Sequence, residues 1–486
     1  MEHANQFYIG GEWVAPLSSS TRELIDPATE LAFALCARGT AEDVDRAAKA
    51  ARAAFESFSS TSITERIEVL QNIDAAFRKR EREIAEIVTQ QMGMTISLSS
   101  SALLDWCKAH TAATIDILKD FQFVERRGTT TILKEPVGVL GLITPWNWPI
   151  GQIFTKILPA IATGCTMVLK PAEATPLDAI ILAEIFDAAG VPAGVFNLVN
   201  GEGPIVGDAI SRHPEIDAVS FTGSTRAGIL ITKAAADTVK RVVHELGGKS
   251  ANILLNDADF ASAIPAAIDN CFFINGQACD AGTRLLVSCE RYDEAVALAI
   301  QAANAYVVGS PSDPKTTLGP VANAAQYDRV QQMIQAGIDE GATLACGGLG
   351  RPNGVNRGYF VRPTVFTDVT AEMSISRDEI FGPVLSVMMY DDLDDAVRIA
   401  NDSCYGLAAH ITGNDVDSIS MLYRKLRVGS VYLNSPDWDA YAPYGGFKQS
   451  GNGREGGAHA FNEFLELKAV LGDVSFNAGD RKSTGH

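Results

Sequence analysis

Cys279 lies in FFINGQACDAGTR, Phe272–Arg284, a polar, glycine-bearing run between a helical pattern and an apolar strand pattern. Most of the eight cysteines in such a chain are inert, but a thiol where backbone can approach a ligand closely can act as a nucleophile once ionised. Glu245 follows the apolar strand pattern KRVVH and precedes two glycines. It is either a turn or salt-bridge carboxylate, the commoner case, or a general base, because strand ends of parallel sheets gather catalytic groups. Asn147, within TPWNWP, is a turn residue or an amide that donates to a developing oxyanion. In FTGSTRAG, Phe221–Gly228, a strand pattern passes through Gly223 to Ser224, a good helix N-cap. Such a turn presents free N–H groups to an anion such as pyrophosphate, yet the spacing is not GxGxxG and an ordinary strand–helix turn explains it equally well. GGKS, Gly247–Ser250, lacks the upstream glycine of a P-loop, Val243 standing in its place, which rejects ATP binding.

These residues need elements to hold them. Ala41–Phe58 and Ile63–Met92 carry alanine-rich, charge-laced patterns at helical period, with Thr40 and Thr64 as expected caps. FQFVERRGTTTILKE, Phe121–Glu135, alternates polar and apolar residues around Arg127-Gly128 and predicts a protruding hairpin. From Val137 the short apolar runs VGVLGLIT, CTMVLK, GVFNLVN, DAVSFTG and KRVVHEL alternate with helical patterns such as Leu177–Ala189 and Ala227–Ala236. A second series follows from Ala251: NILLN, a helix around Ile264–Ile274, RLLVS, a helix from Tyr292, LSVMMY and a helix from Leu393. Two consecutive series of this kind predict two α/β domains with parallel sheets, packed closely because no Pro- or Ser-rich linker divides them.

Composition narrows the class. The chain has 486 residues, 47% hydrophobic and 20% charged, which excludes a disordered or low-complexity protein. Its net charge of −19 would repel phosphates, so neither nucleic acid nor an anionic membrane surface is an expected partner. No apolar run approaches the roughly 20 residues that span a bilayer. The opening MEHANQFYIGGEWVAP has no basic n-region before an apolar stretch, and the cysteines form no CxxC pair. A cytoplasmic protein with free thiols and no metal site is expected.

TPWNWP (144–149), LKPAEATP (169–176), FTGSTRAG (221–228), HELGGKS (244–250), NGQACDAGTR (275–284), EIFGPV (379–384) and PYGGFKQSGNGRE (443–455) occur in this order. Together they resemble the NAD(P)-dependent aldehyde dehydrogenase superfamily over nearly the whole chain. The resemblance implies a Rossmann-like NAD-binding domain over 1–118 and 137–247, an α/β catalytic domain over 248–450, and oligomerisation elements at 119–136 and 460–482. The hairpin and the strand FLELKAV (464–470) are then expected to build a homodimer or homotetramer.

The resemblance also implies roles. Cys279 is the nucleophile that attacks the aldehyde; Asn147 and the Cys279 N–H hold the oxyanion; Glu245 activates the water that hydrolyses the thioester; Lys156 is a lysine the family retains near the site. Lys170 and Glu173 are expected at the adenosine ribose, Ser224 and Trp146 near the pyrophosphate, Glu379 and Phe381 at the nicotinamide ribose, with Thr144 and Gly223 as further cofactor contacts. The Glu173 carboxylate accepts from ribose hydroxyls and repels a 2′-phosphate, favouring NAD; Arg226, where a glutamate is common, keeps NADP open. Trp148, Gln152, Thr155, Ala278, Asp280 and the loop Asn434–Tyr444, with Trp438 and Tyr441, are expected to line the substrate tunnel. Asp280 stands where small or hydroxyl residues are common, and either raises the thiol pKa or orients a substrate. A coenzyme A-acylating dehydrogenase is the nearest alternative, opposed by Glu245. A non-catalytic structural relative is the alternative of another class, opposed by the presence of Cys279, Glu245 and Asn147.

Overall fold

A computed structural model describes residues 1–472. Two sheets of seven strands dominate it. In the first, the strands Arg241–Glu245, Ala218–Thr222, Val139–Ile143, Thr166–Lys170 and Phe196–Leu198 lie side by side in parallel, and the N-terminal strands Phe7–Ile9 and Glu12–Val14 extend the far edge antiparallel. The near-continuous apolar runs follow from burial on both faces, helices covering each side. Chain order reverses between Val139–Ile143 and Ala218–Thr222, which makes the carboxyl ends of these two strands a switch point. The second sheet orders Thr343–Cys346, Thr364–Thr367, Val384–Tyr390, Arg284–Ser288, Ala251–Leu254, Ala408–Thr412 and Ser430–Leu433, all parallel except the first.

The N-terminal helices differ from expectation in two ways. The helix expected across Ile63–Met92 is two helices, Ile63–Arg78 and Glu81–Met92. The break falls in the all-charged run Arg78–Glu83, a turn that puts no apolar side chain into the core. Thr64 is not the cap: Ser62 accepts from the Glu65 N–H while the Glu65 carboxylate accepts the Ser62 N–H, a reciprocal box that Thr64 is too far along the helix to make. Thr40 caps the helix Ala41–Ser59 in the same way with Asp43.

The hairpin forms from Val124–Arg127 and Thr130–Pro136, with Gly128 at φ +61° in its turn. Leu465–Leu471 adds antiparallel to it, Leu465 opposite Pro136 and Leu471 opposite Thr130, giving a three-stranded sheet. The stretch 473–482 of the expected assembly element lies outside the described residues. Among those described, no helix is long and apolar enough to cross a membrane.

The helix Phe260–Gly276 carries the fold into the Cys279 loop and breaks at Phe273–Asn275, where Ile274 (φ +52°) and Asn275 (φ +58°) are left-handed. Gly276 continues at φ +76°, and a Cβ there would run into the Gly382 carbonyl carbon and the Pro383 nitrogen. Gly276→Ala is therefore expected to destabilise the protein by about 2–4 kcal/mol through overpacking and left-handed strain. Calorimetry should show a lower thermal midpoint, whereas Gly128→Ala, which shares the left-handed strain but has open space around its Cβ, should lower it less.

Candidate active site

The switch point gathers the sequence motifs. Thr144–Asn147 leaves the strand Val139–Ile143 and leads into the helix Pro149–Thr163, with Pro149 in its first turn. Gly223 and Ser224 leave Ala218–Thr222, and the Ser224 hydroxyl accepts from the Ala227 N–H to cap the helix Thr225–Ala235. Glu245 ends the adjoining strand, and Gly223 N–H donates to its carbonyl at 3.0 Å.

Opposite, the Cys279 loop is pinned by buried amides. Asn275 donates to the carbonyls of Gly93 and Pro320, both at 2.9 Å, and accepts from Gly319 N–H at 2.7 Å. Gln277 accepts from Ala322 N–H at 2.9 Å. Past the cysteine, His410 Nε2 pairs with the Asp280 carbonyl at 3.0 Å and Gly282 N–H donates to Asn270. The glycines of HELGGKS let this loop approach the first sheet: a Cβ on Gly248 would strike the Cys279 carbonyl, and one on Gly247 the Glu379 carboxyl. Asn147 Nδ2 donates to the Gln277 carbonyl at 2.9 Å, two residues before the thiol. This leaves the second amide proton of Asn147 for an oxyanion.

Cys279 Sγ stands 2.9 Å from the Tyr444 hydroxyl. Burial, and then the Asp280 carboxylate, push the thiol well above its ordinary value, while the Tyr444 contact pulls the other way. The Asp280 carboxylate is itself held by the Tyr432 hydroxyl at 3.2 Å, and the Tyr432 ring stacks on His410. Glu245 is 3% exposed and neither carboxyl oxygen has a partner. Burial and the nearby Glu455 raise it well above the usual carboxylate range, against the pull of Lys156 and Arg454. Lys156, 1% exposed, donates to Ser220 at 3.0 Å and forms a buried ion pair with Glu455.

The residues expected at the cofactor lie at strand ends of the first sheet and on the segment before Val384–Tyr390. Lys170, 2% exposed at its strand end, reaches the Glu173 carboxylate at 3.1 Å and the Pro171 carbonyl at 2.8 Å. Burial raises the Glu173 carboxyl, but the Lys170 ammonium, the Glu173 backbone N–H and Arg22 together outweigh it and lower it below its ordinary value, so the group stays ionised and free to accept from hydroxyls. The Thr144 hydroxyl is buried without a partner one residue past the strand Val139–Ile143, whose neighbour Ala218–Thr222 leads into the helix Thr225–Ala235, an orphan that suits a phosphate oxygen. Trp146 meets Phe381 edge-on at 5.4 Å, Phe381 itself being left-handed at φ +62°. Glu379 accepts from Gly248 N–H at 3.0 Å, and burial pushes its carboxyl up to about 7. This donor and acceptor set fits a dinucleotide. Arg226 is exposed. Among the described residues no cluster could hold a metal ion.

The expected tunnel residues divide. Trp148 packs against Trp106 and Phe273, and Trp438 against Trp106, His110 and Tyr444, so an aromatic wall leads towards the thiol. The Trp438 indole donates to His110 at 3.1 Å; burial drops that imidazole to about 4, leaving it a neutral acceptor. Gln152 is buried with an unpartnered oxygen. Thr155 turns its hydroxyl back to the Gln152 carbonyl and borders a small void with His110 and Ala440. Tyr441 is exposed and reaches Asp116 at 3.3 Å. A cavity of about 760 Å³ lies behind the kink at Phe273–Asn275; Phe273 borders both it and the aromatic wall, but Cys279, Asn147, Glu245 and Lys156 do not line it.

Sequence reading missed Trp106, His110, Phe273, Tyr432 and Glu455. Glu455 ends a motif already marked, and the Trp106/His110 spacing puts two aromatic rings on one helix face. Nothing local joins either to Trp438, more than three hundred positions away.

A family model described as the aldehyde dehydrogenase family matches residues 13–470. The chain is 49% identical to a 3-succinoylsemialdehyde-pyridine dehydrogenase of a Pseudomonas species over 477 residues, 97% of this chain and 99% of that protein. The solved structure of an aldehyde dehydrogenase C (AldC) mutant from Pseudomonas syringae, complexed with NAD+ and octanal, matches at TM-score 0.96 and 50% identity over 98% of each chain. A betaine aldehyde dehydrogenase mutant from Staphylococcus aureus in complex with NAD+ matches at TM-score 0.94 and 36% identity, covering 98% of this chain and 97% of that one.

Burial of Glu245 has a consequence for stability. Its folded carboxyl keeps a proton that the unfolded chain has already lost, so its contribution turns unfavourable as pH rises above the ordinary carboxylate range. Glu245→Gln should therefore gain in melting temperature relative to wild type between about pH 5 and about pH 8. A constant offset across that range would contradict a protonated buried carboxyl.

Proposed function

The chain belongs to the aldehyde dehydrogenase family, and from that premise we propose that it oxidises an aldehyde to the free carboxylic acid with NAD as acceptor. The observation that carries the reading is the meeting of the Cys279 thiol, the Asn147 amide and the unpartnered Glu245 carboxyl at the switch point. The Cys279 thiolate adds to the aldehyde carbon, and the oxygen that takes up the electron pair is met by the Asn147 amide and the Cys279 N–H. Each such donor is worth about 3 kcal/mol in comparable sites. A dinucleotide held by Lys170, Glu173 and Glu379 would supply the hydride acceptor through which this adduct becomes a thioester on Cys279. Glu245, once ionised, removes a proton from water so that its oxygen displaces the Cys279 sulfur and releases the acid. Burial and Glu455 hold Glu245 protonated against the pull of Lys156 and Arg454, so the hydrolytic step speeds up as rising pH ionises it.

Lys170 and Glu173 hold the adenosine ribose, Thr144, Trp146, Gly223 and Ser224 the pyrophosphate, and Glu379 with Phe381 the nicotinamide ribose. Repulsion between the Glu173 carboxylate and a 2′-phosphate supports NAD over NADP. The aromatic wall suits an aldehyde with an aryl or extended apolar body, consistent with octanal in the AldC complex and the pyridine compound named for the Pseudomonas relative. The three-stranded sheet supports a homodimer or homotetramer, acting in the cytoplasm.

Reduced-nicotinamide absorbance with octanal and aryl aldehydes, in NAD and in NADP, tests the reading. Cys279→Ala should give no turnover. Glu245→Gln should give a burst of about one reduced nicotinamide per site followed by a steady state slower by about 10²–10⁴-fold. Coenzyme A should not be consumed; accumulation of an acyl-coenzyme A would replace the free acid as product. Glu173→Gln should lower KM for NADP.

A further inference from the structure

The nucleophile sits among carboxyls that oppose its ionisation whenever they are charged. After burial, the groups acting most strongly on the Cys279 sulfur are Asp280 on its own loop, Glu379 on the segment before Val384–Tyr390, Glu245 from the first sheet, and the Tyr444 hydroxyl. The first three are carboxyls. A reactive cysteine commonly has a cation or a helix N-terminus to sustain the thiolate. Here the 2.9 Å partner of the sulfur is a phenol.

We propose that Tyr444 is a positioning residue for the nucleophile: its hydroxyl donates a hydrogen bond to the Cys279 sulfur, fixing its rotamer and sustaining the thiolate against the Asp280 carboxylate. The inference rests on the reading of Cys279 as nucleophile. A thiolate has no proton to give, so in the reactive state only the phenol can be the donor. Burial and the facing Asp280 keep that phenol protonated, its own titration being pushed far up. A hydrogen bond to an ionised partner is about twice as strong as one between neutral groups. The phenol is well held for this task. Tyr444 and Glu455 exchange two backbone hydrogen bonds of 2.7 Å, and the Trp438 ring packs 5.5 Å from the tyrosine ring. A second phenol completes the arrangement: Tyr432 donates to Asp280 Oδ2 at 3.2 Å and draws off part of the charge facing the sulfur. One tyrosine thus serves the thiolate and the other its carboxylate neighbour.

The test is alkylation by iodoacetamide across a pH series without aldehyde. The Cys279 peptide is followed by mass spectrometry, because Cys289 and Cys404 are exposed and react independently. Tyr444→Phe should move the midpoint of Cys279 alkylation upward by about one pH unit, or about tenfold slower alkylation below the midpoint. Asp280→Asn should move it downward, and the double variant should fall between the two. An unchanged or lower midpoint in Tyr444→Phe overturns the proposal. If that variant does not fold, Tyr432→Phe carries the test: freeing the Asp280 charge should raise the midpoint, and no shift there overturns the proposed balance. The readout is separable from the functional reading. Wild-type protein that alkylates with the expected profile but reduces no NAD would sink the dehydrogenase assignment alone. Active wild-type enzyme with a midpoint indifferent to Tyr444→Phe would sink this inference alone.

Discussion

The site depends on the satisfaction of buried amides in a loop that leaves helical geometry. Asn275 adopts a left-handed conformation that few residues other than glycine accept, and its side chain uses both ends to bind three backbone groups from two separate segments. Gln277 has no exposed surface and ties the same loop to Ala322. Buried polar groups are costly unless paired, so full pairing makes the loop rigid and specific. That rigidity holds the Gln277 carbonyl, two residues before Cys279, against Asn147 without local support from a helix end.

Dryness then governs the chemistry. The strand ends of the first sheet and the helix Pro149–Thr163 bury Glu245, Lys170 and Lys156, and each is handled differently. Lys170 has a carboxylate partner, Lys156 is paired with Glu455, and Glu245 has none. An unpaired buried carboxyl prefers its proton, which spares Cys279 a further full negative charge. The same carboxyl becomes a base only when it ionises beside Lys156 and Arg454. Thiol and base therefore share one electrostatic environment, and a charge on either is felt by the other.

Much of the scaffold was legible from periodicity. The strands of both series, the hairpin and its third strand, the caps Thr40 and Ser224, and the helices from Tyr292 and Leu393 follow patterns of local origin. Thr64 misled because hydroxyls near a helix start look alike, while only Ser62 stands three residues before Glu65. The Ile63–Met92 pattern ran on because helical period survives a break in a turn that carries no apolar side chain. Among site residues, Asn147 reaches the Gln277 carbonyl two residues before Cys279, but the reasons for HELGGKS were invisible: its glycines answer to the Glu379 carboxyl and the Cys279 backbone, not to a phosphate loop.

The order of residue types along the chain determined two parallel α/β units, a paired edge hairpin, and a thiol, amide and carboxyl carried on loops at strand ends, because these follow from short-range propensity and motif spacing. Tertiary structure alone decided that Tyr444 caps the sulfur, that Tyr432 takes up Asp280, that Glu455 meets Lys156, and that Trp106 and His110 join Trp438. Those pairings link residues more than 150 positions apart. Side-chain contact and desolvation exist only after the two sheets have packed, and the protonation states in the crevice are set by that packing.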